Sequence, residues 1–468
     1  MRRTIIAISA SLLLGACAQM PERNVPENVR GMLPDRFTEV APSPDAGIAT
    51  TWWQAFGDER LTQLVEQGLQ YNSDLIIAAE RLREAKATMR SVRADQVPEL
   101  SAFVGGTRQR TFIPGLSDAP VIETGNVGVQ VSYEADLWGR LASRTEAERQ
   151  RYLAQGYTLA SLRLTIAAEL VRGYLQAQSL SEARLVLDEN VQVLDDQLRL
   201  SRRRYEAGAI SELDLQRFRS ELEDSRAQLA EVTQQQRAVQ RALLVLAGQL
   251  PTSARLDGLN VEPESSPPAV LPTVPTGLPS ALLNRRPDLR AAESNLAAAG
   301  ADLNAARRAW LPSLVITGSA GEVSTSLSNL FKDGMNVWSV GATLTQAVFD
   351  GGRRNAAIQI SDARREQLAE SYRATVREAF NEVLDALDAR TAADEVYRAR
   401  TEQSDALRTT LRLAQRRYEE GYSDYLGVLD ARRSLLQSRL AVADARRNGG
   451  AAYVDLVLAV GGGWAETR

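Results

Sequence analysis

Two rhythms of apolar residues run along this chain, and each predicts a different element. Leu153, Tyr157, Ala160, Leu164, Ala167, Val171 and Tyr174 step by four and three, as do Leu187, Val191, Leu194 and Leu198, with Ser201 and Tyr205 continuing the row. Val376, Phe380, Val383 and Leu387 repeat the rhythm later. Such spacing keeps one seam of a helix apolar and predicts left-handed supercoiling against a partner helix. No proline occurs from Gly139 to Glu206 or from Gly352 to Glu420. Each stretch predicts a helix of about 100 Å if continuous, at about 1.5 Å per residue. The second rhythm has period two. Val127, Val129, Val131 and Tyr133 alternate with Gly128, Gln130, Ser132 and Glu134, while Trp338, Val340, Ala342 and Leu344 alternate with Ser339, Gly341, Thr343 and Thr345. An apolar face opposite a small polar one marks a strand covered on one side. Partner strands are predicted from Leu100 and Leu314, joined by polar, Gly- and Ser-rich loops at about Arg108 to Ile122 and Gly321 to Asn336.

These elements occur twice in the same order. A helix, about Asp58 to Ala94 and again about Leu278 to Ala309, is stopped by Pro98 or Pro312. The strand pair and the very long helix follow. Gly208 and Gly421 then supply the left-handed residue that ends a helix, and Ser211 and Ser423 are candidate N-caps of return helices to Ala247 and Ala459. The landmarks recur at an offset near 214 residues: Asp74-Leu75 with Asp288-Leu289, Leu137-Trp138-Gly139-Arg140 with Asp350-Gly351-Gly352-Arg353, and Arg204-Tyr205 with Arg417-Tyr418. An ordered series of this kind predicts an internal two-fold repeat. The repeats are 58–250, with a strand hairpin at 98–136, and 279–464, with a strand hairpin at 312–348. A Pro-rich connector, 251–278, separates them, and a second irregular stretch, 17–57, precedes them as an extended arm.

Composition narrows the function by exclusion. Lys+Arg number 55 and Asp+Glu 59, so the chain lacks the basic surplus of a nucleic-acid binder. Hydrophobic residues make up 44% but aromatics only 6%, a balance that favours long helices. There is no histidine and one cysteine, Cys17, which removes Cys/His metal centres, Ser-His-Asp triads and internal disulfides. Carboxylate-only metal or hydrolytic sites remain formally open. The acids, however, stand singly amid arginines on helix surfaces, without a Gly-rich phosphate loop or a nucleophile motif. The reading is therefore not an enzyme, with no cofactor and no metal.

The N-terminus has the parts of a secretory signal, 1–16. Arg2 and Arg3 are charged, and Ile5 to Leu14 form an apolar stretch too short to span a bilayer. Leu14-Gly15-Ala16-Cys17 resembles a bacterial lipobox, in which Cys17 becomes the lipidated first mature residue; the alternative is an ordinary signal peptide with a chance cysteine. Ala18 and Gln19 follow, with no Asp in second place to resemble an inner-membrane retention signal. No later stretch holds eighteen apolar residues, so a membrane-crossing mature chain must cross as strands of a closed barrel. Four strands are too few, since bacterial barrels need about eight or more, and open edges in lipid leave backbone groups unsatisfied. Strands in a membrane thus require copies of the chain to share one barrel, with Val127, Val129, Trp338 and Val340 toward lipid. The alternatives are a soluble four-stranded sheet packed on the helices, or a purely structural coiled-coil tether.

Several stretches resemble the TolC-like outer-membrane efflux proteins, specifically their NodT-type lipoprotein branch. They are Trp52-Trp53 with Phe56 and Asp58, Tyr133-Glu134-Ala135-Asp136-Leu137-Trp138-Gly139-Arg140, Gly277-Leu278-Pro279-Ser280 leading into Arg285-Arg286-Pro287-Asp288-Leu289, Phe349-Asp350-Gly351-Gly352-Arg353, and Gly461-Gly462-Gly463-Trp464. The resemblance implies an α+β membrane protein: a homotrimer whose twelve strands, four per chain, build an outer-membrane β-barrel continued by a periplasmic α-helical barrel. It implies an exit duct for drugs or metals in a tripartite efflux pump, with a periplasmic adaptor and an RND-type inner-membrane transporter as partners and outer-membrane lipid around the barrel. A duct for type I protein secretion is the alternative. It also implies that Arg204, Tyr205 and Gly208, with Arg417, Tyr418 and Gly421, lie at the periplasmic tips where the adaptor docks. Taken blandly, the glycines are C-caps and the tyrosines are seam packing. The position matching the family's acidic pore constriction is Asp430, whose plainer alternative is a solvated helix charge paired with Arg433. Some relatives carry a second Asp three residues earlier, where this chain has Gly427.

Overall fold

The computed structural model describes residues 49–111, 120–252, 271, 274, 282–325, 330 and 335–464. Cys17, the signal segment, most of the arm, nearly all of the Pro-rich connector and Gly277-Leu278-Pro279-Ser280 lie outside them. A 3-10 turn, Trp52–Phe56, precedes α1 (Glu59–Tyr71) and α2 (Ser73–Ala94). Strands β1 (Glu99–Arg110) and β2 (Val121–Ala135) lead to α3 (Arg140–Glu206) and α4 (Glu212–Leu246). The order then recurs as α5 (Leu282–Arg285), α6 (Pro287–Arg308), β3 (Ser313–Ser324), β4 (Met335–Thr345), α7 (Arg353–Glu419) and α8 (Leu426–Ala459). The two long helices, α3 and α7, each run 67 residues. Contacts divide the chain into two compact units. Among the described residues, one lies within 83–155 and 291–373, the other within 49–82, 156–290 and 374–464.

The first unit contains the sheet. Its four strands are all antiparallel in the order β1-β2-β3-β4. Register stacks Leu100, Val131, Gly318 and Val340 in one row and Ala102, Val129, Ala320 and Trp338 in the next. Val340 and Trp338 are 76% and 75% exposed, so no helix among the described residues covers them, unlike a soluble sheet packed on the helices. The opposite face carries the row Ser101, Gln130, Ser319 and Ser339, in which the hydroxyls of Ser319 and Ser339 hydrogen-bond at 2.9 Å. Gly128 and Gly321 stand opposite each other, and a Cβ on Gly321 would come within 2.2 Å of the Val127 carbonyl. Only glycine lets the two strands approach this closely. Strands run into both ends of the predicted loops, where Arg108 pairs with Glu123 at 2.9 Å and, beside it, Thr107 with Thr124 at 2.5 Å across β1 and β2. These polar cross-strand pairs stabilise a sheet without leaving an apolar signal.

Strand passes to helix through equivalent aspartates. The Asp136 carboxylate accepts the Ala142 N–H at 2.7 Å, and Asp350 accepts the N–H groups of Gly352 at 3.1 Å and Arg354 at 3.2 Å. Two tryptophans lock the joint: the Trp138 indole donates to the Pro312 carbonyl at 2.8 Å, and the Arg354 guanidinium lies 4.5 Å over the Trp310 ring.

The second unit is held by buried aromatics and leucines. Trp52, Trp53 and Phe56 are buried, with Phe56 edge-on to Tyr453 at 5.6 Å. Asp58 caps α1 through the N–H groups of Arg60 and Leu61 and also accepts the Tyr174 hydroxyl at 2.6 Å. Arg286 is the most connected side chain here. It donates to Asp288 at 2.7 Å, to Glu382 at 2.6 Å and to the Ala459 carbonyl at 3.1 Å. Burial disfavours its charge, but the two carboxylates more than offset this and hold its pKa above the ordinary arginine value. The terminal Trp464 donates its indole N–H to the Arg285 carbonyl at 2.5 Å.

The structure corrects three boundaries. The first predicted helix is two, broken at Asn72, whose carboxamide oxygen accepts the N–H groups of Asp74 and Leu75 while its NH2 reaches the Leu246 carbonyl at 2.8 Å. The second is likewise interrupted at Arg286, after which Pro287 occupies the first helical position of α6. Ser211 does cap α4, in a capping box with Asp214, but Ser423 caps nothing. The residue before α8 is Tyr425, and it makes no side-chain cap bond. Three residues after Ser423 stands Leu426 rather than an acid, so no reciprocal cap can form.

Asn72 makes a testable case. Asn72→Ala removes a cap and leaves the Leu246 carbonyl without its donor, so chemical denaturation should show a loss of about 1–3 kcal/mol. Asn72→Asp keeps the cap acceptor but not the donor, and should recover only part of that loss.

Candidate functional site

Cys17 apart, which lies outside the described residues, the residues singled out from the sequence lie at or near the two helix turns of the second unit. Each turn closes the same way. Gly208 has φ +73° and Gly421 φ +78°, and nothing lies within 4 Å of a Cβ built on either. Glycine is therefore needed for its backbone conformation and not for space. At the first turn the Gly208 N–H donates to the Tyr205 carbonyl and the Ala209 N–H to that of Arg204, both at 2.8 Å. At the second, Gly421 donates to Tyr418 at 3.0 Å and Tyr422 to Arg417 at 2.8 Å. The paired bonds satisfy carbonyls that a helix end would otherwise leave open.

The turns are joined side by side. The Arg204 guanidinium donates to the Tyr418 hydroxyl at 2.7 Å, which sets the two turns level. Tyr418 in turn meets Tyr425 edge-on at 5.0 Å, and Tyr425 leans on the buried Phe218 ring at 4.5 Å. Tyr205, Arg417 and the turn glycines are exposed, as are Tyr422 and Leu426. Acid crowns each turn, with Glu206 and Glu212 at the first and Glu419, Glu420 and Asp424 at the second, while Arg202–Arg204 and Arg416–Arg417 sit just behind. Arginines in the last helical turn also complement the helix dipole.

Asp430 lies in the second turn of α8, exposed, next to the buried Leu429 and Ala431. Its anticipated partner Arg433 turns elsewhere, donating to Glu221 on α4 at 2.5 Å. That hydrogen bond, chiefly, raises the Arg433 pKa, and Asp430 adds only a weaker field. Asp430 itself has no hydrogen bond or ion pair among the described residues. Gly427 is exposed with open space around it.

Two features of the site were not read from the sequence. One is Tyr425, which lies between the two hairpins, with its hydroxyl buried and unpartnered. Burial pushes its pKa up, against a weaker opposing field from Arg432. The other is the Arg433–Glu221 bond itself. An aromatic among polar residues just past a turn looks like solvent-facing decoration, and an ion pair between residues 212 positions apart has no local signature. Among the described residues, no group of His, Cys, Asp or Glu is arranged to hold a metal, and no helix is long and apolar enough to cross a membrane.

The family described as outer membrane efflux protein matches this chain twice, over residues 64–249 and 278–462. The outer membrane protein OprJ of Pseudomonas aeruginosa is 34% identical, with 100% of this chain and 98% of that protein covered. The toluene efflux pump outer membrane protein TtgC of Pseudomonas putida is 31% identical, over 100% of this chain and 97% of its own length. Among solved structures, the outer-membrane channel OprN superposes with a TM-score of 0.84 at 28% identity, covering 96% of this chain and 100% of that one.

The orphaned hydroxyl yields a test at this site. Tyr425→Phe should leave the fold unharmed or stabilise it by up to about 1 kcal/mol, because it deletes an unsatisfied buried group. Tyr425→Ala should cost about 2 kcal/mol or more by stripping contacts from Phe218 and Tyr418. Thermal melts of the two variants read the difference.

Proposed function

The chain belongs to the outer membrane efflux protein family, and on that premise we propose how it works as the exit duct of a tripartite efflux pump. It is an outer-membrane efflux channel. The observation that carries the finer reading is the open sheet, whose two edges pair with no other strand among the described residues and whose apolar face, around Trp338 and Val340, is exposed. Three copies lend four strands each to a twelve-stranded barrel, which removes the edges. The row through Trp338 and Val340 turns toward lipid, and the serine row turns toward the water-filled lumen. The long helices build the periplasmic tunnel, and the two family matches on one chain support its origin by duplication. Cys17, acylated after signal cleavage, tethers each copy to the membrane.

The level pair of turns is the periplasmic end. An adaptor docks there on the acidic crowns and the exposed Tyr205 and Tyr422, with Arg204, Gly208, Arg417, Tyr418 and Gly421 holding the surface in shape. An RND-type transporter of the inner membrane supplies the energy. The relative named for toluene efflux supports small organic molecules as cargo. Asp430 is the constriction. Three carboxylates facing one another at a throat resist simultaneous ionisation and attract cations, and with Gly427 in the earlier position one ring of acids acts alone.

Two measurements decide this. A strain lacking the chain should become more susceptible to small organic toxicants and regain resistance on complementation. In planar bilayers the purified protein should conduct, and Asp430→Ala should raise conductance and weaken cation preference. Unchanged conductance removes Asp430 from the throat.

A further inference from the structure

Two rows of charge on the long helices of the second unit are, Arg226 apart, without counter-charge among the described residues. On α7, Asp388, Ala392, Glu395, Ala399 and Glu402 follow at four, three, four and three, and all five are exposed. They make a coiled-coil seam in which acids alternate with alanines. None of the three acids has an ion pair or hydrogen bond among the described residues, unlike their neighbours Asp394 and Asp405, which pair with Arg390 and Arg408. On α4, Arg226, Ala230, Thr233 and Arg237 keep the same spacing, and Arg241 extends the row. This face is an open groove of about 500 Å³ running from Arg226 to Arg241. Arg226 is engaged by Asp195 and Glu223, whereas Arg237 and Arg241 have no partner among the described residues. Leu229 and Val232 pack inward against Val186, Leu187 and Leu436, which fixes α4 with its arginines outward.

The two rows share one ruler. The Arg204–Tyr418 bond sets the turns level. Arg226, Arg237 and Arg241 lie 18, 29 and 33 residues beyond Gly208, while Glu402, Glu395 and Asp388 lie 19, 26 and 33 residues before Gly421. The largest mismatch, three residues, is about 4.5 Å of helix, within the reach of an arginine side chain. Because α4 runs away from its turn and α7 toward its own, an α4–α7 pair is antiparallel, and the charges fall in matching order.

We propose that α4 of one copy seats on α7 of the next through this seam, with Arg226 opposite Glu402, Arg237 opposite Glu395 and Arg241 opposite Asp388. The alanines let the helices approach closely, and the charges select partner and register, as flanking charges do in coiled coils. The inference rests on the reading that the chain assembles with copies of itself, and it names the surface on which the helical part of that assembly closes.

Cysteine pairing tests it in the full-length, detergent-solubilised protein. A chain carrying both Arg237→Cys and Glu395→Cys should form covalent dimers and trimers under mild oxidation, reversed by reductant. A chain carrying Arg237→Cys and Glu378→Cys, 17 residues farther along α7, should not. Separately, Arg237→Glu with Arg241→Glu should lose assembly by native mass spectrometry, and adding Asp388→Arg with Glu395→Arg should restore it. A trimer that cross-links through 378 and not 395, or a four-fold variant that stays apart while the wild type assembles, overturns the seam and leaves the trimer standing. A wild-type protein that is monomeric in detergent overturns both.

Discussion

An unpaired backbone group has no water to turn to inside a bilayer, and that constraint governs this chain. Four antiparallel strands satisfy one another internally, but the outer edges of β1 and β4 offer N–H and C=O groups to no other strand among the described residues. Each such group costs several kcal/mol in hydrocarbon. The sheet's small polar face and close Gly128–Gly321 approach keep the strands regular, and Asp136 and Asp350 satisfy the first amides where strand gives way to helix. Trp138 and Trp310 brace the same joint. A chain that left these groups open could not hold its strands at a membrane boundary.

The helices obey a milder rule, because water can satisfy their outer faces. Beside their buried apolar residues, charge also passes between them. Arg433, Arg439 and Arg446 on α8 reach Glu221, Glu189 and Glu182 on α4 and α3. The most exposed of these, Arg439–Glu189, is of a kind worth about 0–1 kcal/mol, so its value lies in register. The two turns show the same economy. Their backbones are superimposable in pattern, yet the first is finished by a capping box and the second by a stack of aromatic rings. The two turns share the bend and differ in their trimmings.

How much of this was legible depended on whether a residue's role was local. Alternation at 127–133 and 338–344 revealed strands because one face is apolar, and proline-free four-three runs revealed α3 and α7. The strand ends were hidden because Arg108, Glu123, Thr107 and Thr124 are polar on both faces of the sheet. The break at Asn72 was hidden because its partner, the Leu246 carbonyl, is 174 residues away. Gly208 and Gly421 announced themselves, since the left-handed conformation favours one residue type. Ser423 misled for the opposite reason. Serine caps only from the residue at the helix start, and α8 begins after Tyr425, two residues farther on. Tyr425 belongs to the same class of error, its role being set by Phe218 and Tyr418 from other helices.

The equal span of α3 and α7 carries an evolutionary and engineering corollary. Both are 67 residues, and the Arg204–Tyr418 bond ties their far ends together. An insertion in one arm alone would slide that bond out of reach and throw every later seam residue onto the wrong side. Tolerated length changes must enter all four arms together, in whole heptads that preserve the facing of each row. Divergence among such proteins should thus crowd into loops and surface charges while arm length drifts only in concerted steps, and a designer who wants a taller conduit must lengthen α3, α4, α7 and α8 at once.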